Sequence, residues 1–327
     1  LNVSLVVPLY NEEDAIGPFY QAIKHDPVLQ SNEVEIVFID DGSEDSTGRL
    51  AKEIARADQN VVVLTFSRNF GKEAALFAGI QYATGDAVIP LDADLQDPIS
   101  VIARLIEAWQ NGAEIVLAKR KTRTEDSFLK RHCAALFYKI IHQISTTRIE
   151  ENVGDFRLMD RKVIEVIKAL PEQQLFMKGV LAWAGFKTVT VQYHRCARAA
   201  GHSKFNFWKL WNLALDGITS FSTVPLRVWT YIGGAISFLA IIYAVYLLLD
   251  YQFNGNPTAG YSSVMVSILF LGGIQLIGIG ILGEYIGRIY LESKHRPRYV
   301  IRDVTSYRHS SADVAPAKKG SREYGPI

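Results

Sequence analysis

Ala87-Val88-Ile89-Pro90-Leu91, followed by Asp92-Ala93-Asp94-Leu95-Gln96, is the stretch on which the reading of this chain turns. The apolar run reads as a short buried strand, so two carboxylates and an amide sit at its C-terminal end. In open α/β sheets that edge is where ligands bind. Alternate residues of an extended segment point to one side, so Asp92, Asp94 and Gln96 are expected to converge on one hard cation. All three offer oxygen, which suits Mg2+ or Mn2+ bridging phosphates rather than zinc.

Outward from this stretch, the N-terminal part repeats a strand-then-helix rhythm. Apolar, β-branched runs at 4–7, 34–39, 61–66, 87–91 and 114–117 alternate with helical patterns such as 46–57 and 72–82. The alternation predicts a mostly parallel sheet covered by helices. Polar clusters fall in the loops after the strands: Asn11-Glu12-Glu13, Asp40-Asp41-Gly42-Ser43 and Ser67-Arg68-Asn69, then Lys119-Arg120-Lys121. Further on, 128–144 reads as a helix, Gly154-Asp155-Phe156-Arg157 as an interrupting loop, 161–170 as a helix and 188–193 as a strand. A basic, small-residue loop covers 195–204.

The last third changes character. Phe207, Trp208, Trp211, Leu215, Ile218 and Phe221 recur at helical spacing, which suits an amphipathic helix at a membrane interface. Two uncharged stretches, 228–249 and 264–282, are each long enough to cross a bilayer. The connector has no Lys or Arg, whereas Arg227 precedes the first span and Arg288, Lys294, Arg296 and Arg298 follow the second. The positive-inside rule then predicts a hairpin with both ends cytoplasmic. Gly272, Gly273, Gly278 and Gly280 in the second span permit close helix contact, and a homo-oligomer is expected. The tail beyond about Val304 is polar and reads as disordered. The expected organisation is a catalytic domain over 1–204, juxtamembrane helices over 205–227, a two-helix hairpin over 228–288 and a cytoplasmic tail over 289–327. The pocket motifs lie upstream of the spans, so the catalytic domain is expected to stand without them.

A net charge of +1 gives no reason to expect nucleic acid as a partner. Cys133 and Cys196 form no C-x-x-C pair and read as reduced, buried thiols. Neither G-x-G-x-x-G after the first strand nor a P-loop occurs, so dinucleotide redox and P-loop chemistry are unsupported. A metal-bearing acidic pair beside Asp40-Asp41, whose carboxylates suit the donors of a base or ribose, describes a nucleotide-diphosphate pocket. Group transfer from a nucleotide-activated donor follows.

Four motifs now stand in order: Pro8-Leu9-Tyr10-Asn11-Glu12, Asp40-Asp41-Gly42-Ser43, Asp92-Ala93-Asp94-Leu95-Gln96 and Gly201-His202-Ser203-Lys204. With them the chain resembles the polyisoprenyl-phosphate branch of the inverting GT-A glycosyltransferases, glycosyltransferase family two. Asn69-Phe70-Gly71-Lys72-Glu73, Gly154-Asp155-Phe156-Arg157-Leu158-Met159 and Gly283-Glu284-Tyr285-Ile286-Gly287-Arg288 bring it near the members that glucosylate bactoprenol for O-antigen modification. The resemblance implies a GT-A, Rossmann-like catalytic domain. Pro8, Tyr10, Glu12, Asp40, Lys72, Asp92 and Ala93 would bind the nucleotide sugar. Asp92, Asp94 and Gln96 would hold Mg2+ or Mn2+, with Asp94, Asp155 and Arg120 as the catalytic candidates. Lys130, Arg131, Arg157, Arg195, Arg198, Ser203 and Lys204 would face acceptor or diphosphate.

The implied partners are a UDP-sugar, undecaprenyl phosphate and the lipid bilayer. The implied location is a bacterial inner membrane, crossed more than once. For Asp155 two readings stay open, a base or a positioning group, beside that of a simple turn cap. Mannose or aminoarabinose transfer, or a non-catalytic membrane scaffold, are the alternative functions.

Overall fold

The computed structural model describes residues 1–121, 153–170, 184–194 and 260–307, with helical positions scattered between 228 and 246. The expected helix over 128–144, the loop over 195–204 and the interfacial helix lie outside the described residues. So do Lys130, Arg131, Arg195, Arg198, Ser203, Lys204 and both cysteines. In chain order the elements are β1 (Asn2–Leu9), α1 (Glu13–His25), α2 (Pro27–Gln30), β2 (Glu33–Asp40), α3 (Thr47–Ala57), β3 (Val61–Phe66), α4 (Lys72–Tyr82) and β4 (Ala87–Pro90). There follow α5 (Ser100–Gln110), β5 (Ile115–Arg120), β6 (Val153–Asp160), α6 (Arg161–Ala169), β7 (Thr188–Tyr193), α7 (Tyr261–Ser293) and β8 (Ile301–Ser306). Two compact units contain them: Leu1–Leu95 with the chain from Val300, and Gln96–Tyr299.

In the first unit the strand order is β4-β1-β2-β3-β8. The first four are parallel and β8 runs antiparallel on the edge of β3. Parallel strands covered on both faces need near-continuous apolar sequence, and Leu5, Val6, Val7, Val37, Phe38, Ile39, Val88 and Ile89 are all fully buried. α4 lies close on this sheet because Gly79 lacks a side chain. A Cβ there would stand 2.3 Å from Val6 Cγ1 and 2.6 Å from Ile39 Cδ1. Glu35, buried in β2, accepts from the Ser4 hydroxyl, from Thr84 N at 2.8 Å and from Thr84 Oγ1 at 2.9 Å. A buried carboxylate is tolerated only when so satisfied, and this one fixes the turn into β4.

The crevice of the sheet is set by Pro8. β1 pairs with β2 as far as Leu9↔Asp40, but with β4 only as far as Val6↔Pro90. Leu91 N donates the closing bond to Val6 O at 2.9 Å. Pro8 has no N–H for the β4 side, so the two strands part there. The connections also reverse direction at this point, with β2 and β3 on one side of β1 and β4 on the other. Such a switch point is where open α/β sheets bind ligands.

In the second unit the strand order is β7-β5-β6, with β7 parallel and β6 antiparallel to β5. The stretch read from sequence as the loop Gly154-Asp155-Phe156-Arg157 is therefore strand, within β6. What makes it look like a loop is an irregularity. Leu117 pairs with Arg157 and Lys119 with Val153, so β6 carries extra residues there. Bulges of this kind re-aim side chains at functional edges.

Among the described residues one stretch, Phe270–Ser293 in α7, is long and apolar enough to cross a membrane, and it is mostly exposed. Gly278 in the same helix is a point of close approach, since a side chain there would collide with the Trp229 indole.

Residues 308–327 lie outside the described residues, whereas β8 runs to Ser306, two residues past the point from which the tail reads as disordered. The segment has little apolar signal because it is an edge strand, held by backbone pairing to β3 and by partners far away in sequence. Lys52 Nζ lies 2.7 Å from Asp303 Oδ2, Arg56 Nε donates to Tyr307 Oη at 3.3 Å, and Ser67 N donates to Val300 O at 3.0 Å. Removing the chain from Val300 onward strips a strand from the sheet and bares the β3 edge. We expect the melting temperature to fall by about 5–10 °C, read by thermal unfolding in detergent, with dye-detected aggregation rising. Asp303→Ala alone should shift it by less than about 2 °C, since exposed ion pairs contribute little.

Candidate active site

The loops at the C-terminal edge of the first unit are laced together. Asn11, at φ 54°, donates its N–H to Ser43 Oγ at 3.1 Å and accepts from Glu44 N at 3.0 Å. Glu12 N donates to Thr47 Oγ1 at 2.8 Å, and Ser46 N donates to Glu13 Oε2 at 3.0 Å. The loops after β1 and β2 are thus tied to each other by these four hydrogen bonds, with Tyr10 exposed beside them. The next loop joins through Asp41, which accepts from Phe70 N at 2.7 Å and Gly71 N at 2.9 Å. Burial pushes the Asp41 carboxyl above its ordinary value, and those two backbone donors pull it partly back. Gly42, at φ 69°, lets the two loops touch, because a Cβ would meet Arg68 backbone at 2.6 Å.

Asp40 is buried and accepts from Ser43 N at 2.9 Å, while a Cβ at Gly48 would stand 2.5 Å from its other oxygen. Beside it opens a cavity of about 340 Å³, lined also by Gly48, Lys52, Arg56 and Thr65. Pro8 is half-buried at the parting of the strands.

The acidic motif is not extended as expected. β4 stops at Pro90, and residues 93–95 turn, with Leu95 at φ 54°. Asp92 and Asp94 are half-buried and Ala93 is buried. Lys72, the first residue of α4, places its Nζ 2.7 Å from Asp92 Oδ1 and 2.9 Å from Oδ2. Two candidates chosen separately from sequence are therefore direct partners. Gln96, also buried, begins the second unit, so the boundary between units falls inside the motif.

In the second unit Arg120 ends β5 and Tyr193 ends β7, paired in register. The Tyr193 hydroxyl donates to Asp97 Oδ1 and accepts from Arg120 Nε at 3.1 Å. Arg120 Nη2 lies 3.8 Å from Asp97 Oδ1. Burial, with the Asp97 carboxylate as hydrogen-bond acceptor, pushes Tyr193 up to about 12, so it stays a neutral hydroxyl. Arg157 is buried and turned back on its own strand, donating to Gly154 O at 2.6 Å and Asp155 O at 3.2 Å, with Asp155 Oδ1 3.9 Å away. It supports the bulge that presents Asp155. Sequence reasoning passed over Asp97 and Tyr193, although Asp97 is the next residue after Gln96.

Residues 4–168 match the glycosyl transferase family 2 model, and residues 224–289 match the GtrB C-terminal hairpin model. A bactoprenol glucosyl transferase of Shigella phage SfV is 60% identical over 303 residues, covering 93% of this chain and 99% of that one. A prophage bactoprenol glucosyl transferase homolog of Escherichia coli K12 is 60% identical over 304 residues, again 93% and 99%. A solved mannosyltransferase of Pyrobaculum calidifontis, in complex with GDP-Man and Mn2+, is 17% identical with a TM-score of 0.49, over 89% of this chain and 86% of that one. The chain belongs to glycosyl transferase family 2. It is a glycosyltransferase with the mostly parallel α/β architecture of GT-A enzymes.

Asp41→Ala should leave the Phe70 and Gly71 N–H groups without their carboxylate. We expect a loss of about 1–3 kcal/mol of stability, read by denaturant unfolding.

Proposed function

We propose that this enzyme transfers glucose from UDP-glucose to undecaprenyl phosphate with inversion, giving β-glucosyl-phosphoryl-undecaprenol on the cytoplasmic leaflet of a bacterial inner membrane. The product would serve O-antigen or other envelope glycosylation. The observation that carries this reading is 60% identity, over 99% of their lengths, to proteins named for bactoprenol glucosyl transfer.

The laced loops and the crevice at Pro8 suit a nucleoside, with Tyr10, Glu12 and Asp40 around it. Asp92, Asp94 and Gln96 would hold Mg2+ or Mn2+. The all-oxygen set fits such an ion, which would take the place of the Lys72 ammonium on Asp92 and free that cation for a phosphate. A metal bound there supplies charge neutralisation for the departing diphosphate. Arg120, with Lys130 or Arg131, would draw phosphate oxygens into line, and Arg195, Arg198, Ser203 and Lys204 would close over them.

The acceptor is a phosphate monoester whose second pKa is about 6, so near neutral pH it is mostly a dianion and already nucleophilic. Positioning and charge neutralisation then suffice. Asp155 is a positioning group in this reading, kept near an anion by Arg157.

The apolar α7 and the stretch at 228–249 would form the hairpin that brings the site to the depth of the lipid phosphate. Gly272, Gly273 and Gly280, where a Cβ would meet nothing within 4 Å, offer a second copy a packing face.

Two measurements test the reading. With radiolabelled nucleotide sugars and undecaprenyl phosphate in detergent, UDP-glucose should give the organic-phase product. Asp94→Ala should cut that product by about a thousandfold (~4 kcal/mol in the barrier) while the melting curve is kept. A panel in which another sugar is transferred faster would replace glucose, and near-normal turnover of Asp94→Ala would remove the metal assignment. Asp155→Asn should lower turnover by a margin that shrinks from pH 6 to 8 (the acceptor's second pKa being about 6). A thousandfold loss persisting at pH 8, with UDP binding unchanged, would make Asp155 an obligatory base.

A further inference from the structure

Asp97, Tyr193 and Gly154 stand together around one guanidinium. Strand register puts Arg120 and Tyr193 side by side at the ends of β5 and β7, and Lys121 N donates to Tyr193 O at 3.0 Å, which extends that pairing by one residue. The Tyr193 hydroxyl gives its proton to Asp97 and receives one from Arg120 Nε. Asp97 and Tyr193 are 5% and 3% exposed, whereas the Arg120 side chain is 26% exposed. The pair thus grips the guanidinium from inside, at its Nε edge, and Asp97 draws Nη2 from 3.8 Å. A Cβ at Gly154 would come within 3.2 Å of Nη2, so the missing side chain there leaves the guanidinium its place beside the bulge of β6. Phe156 packs edge-on against the Tyr193 ring, with centroids 5.8 Å apart, and fixes the ring itself.

Burying a carboxylate and a phenol hydroxyl beneath an arginine is a poor way to gain stability, since desolvation offsets most of the attraction. It is a good way to hold a cation in one rotamer, because charge-assisted bonds fix direction as well as distance. We infer that Tyr193 and Asp97 are positioning residues for Arg120, holding its guanidinium at the angle from which it meets a phosphate oxygen of the substrate. The inference rests on the reading of Arg120 as a phosphate-facing residue and adds what keeps it there. Burial, with the Asp97 carboxylate as acceptor, keeps the Tyr193 hydroxyl neutral up to about 12, so it stays a donor and an acceptor in the working range of the enzyme.

The test is a double-mutant cycle on the full chain in detergent, with UDP-glucose and undecaprenyl phosphate. Tyr193→Phe keeps the ring and removes the hydroxyl, and Asp97→Asn keeps the shape and removes the charge. Each should lower kcat/KM about tenfold in the wild-type background. In an Arg120→Ala background each should lower it by less than twofold, because nothing is left to position. A residue that only supports the fold would cost the same factor in both backgrounds, and that result would overturn the inference while leaving the reading of Arg120 intact. If Arg120→Ala itself turns over normally, both fall. Thermal unfolding accompanies each variant. Should Tyr193→Phe not fold, Asp97→Asn and Gly154→Ala carry the same cycle, since both disturb the same guanidinium by different means.

Discussion

The parting of β1 from β4 is the constraint from which the rest of the site follows. β1 is hydrogen-bonded to β2 along its whole length, yet to β4 only as far as Val6. Had residue 8 carried an N–H, the ladder on the β4 side would have had a donor to continue it. With proline there, the chain after Pro90 leaves the sheet, and Asp92 and Asp94 emerge beside the crevice instead of inside a strand. The price of a proline in a central strand is a lost bond, and here that bond lies where the sheet has to open.

One buried acid lies near the start of β2 and another just past its end, and each secures backbone that the ladder does not reach. Glu35 satisfies Thr84 and, through Ser4, the N–H of Gly85, which brings the chain into β4 at the right height. Asp41 satisfies Phe70 and Gly71, which brings the chain into α4. α4 in turn starts with Lys72, the partner of Asp92. Buried carboxylates thus set both ends of the path from β3 to the acidic motif. Their burial cost is offset by backbone N–H groups that would otherwise have been unpaired.

Local pattern sufficed where structure is local. The apolar runs found every parallel strand of the first unit, and the helical period found α4 from Lys72 to Tyr82, as observed. Pattern failed where a tertiary partner decides. β6 is broken by its own bulge at Gly154-Asp155, so its alternation is lost. β8 is an edge strand with few apolar residues, and Lys52 and Arg56 meet it across 251 positions of sequence. The expected convergence of Asp92, Asp94 and Gln96 assumed extended backbone, which the left-handed φ of Leu95 interrupts. Asp97 and Tyr193 are 96 positions apart, and neither residue type at its place announces the other. What sequence could not show is which polar residues meet: Lys72 with Asp92, and Tyr193, never a candidate, with Asp97 and Arg120.

The return of the chain to β3 changes what the apolar helix is. A membrane segment at the end of a chain is an appendage, which can be lost without touching the sheet before it. Here the chain leaves the first unit after Leu95 and re-enters it at Val300, so everything between, α7 included, is an insertion into that unit's sequence. α7 shows mostly exposed apolar side chains, among them Phe270, Leu276, Ile279 and Ile286, surface that water does not favour. β8 begins shortly after that helix ends, and its pairing with β3 closes an edge that would otherwise template association. The strand that completes the first unit's sheet thus follows the apolar helix in the chain, so the sheet's edge depends on sequence from both sides of that helix.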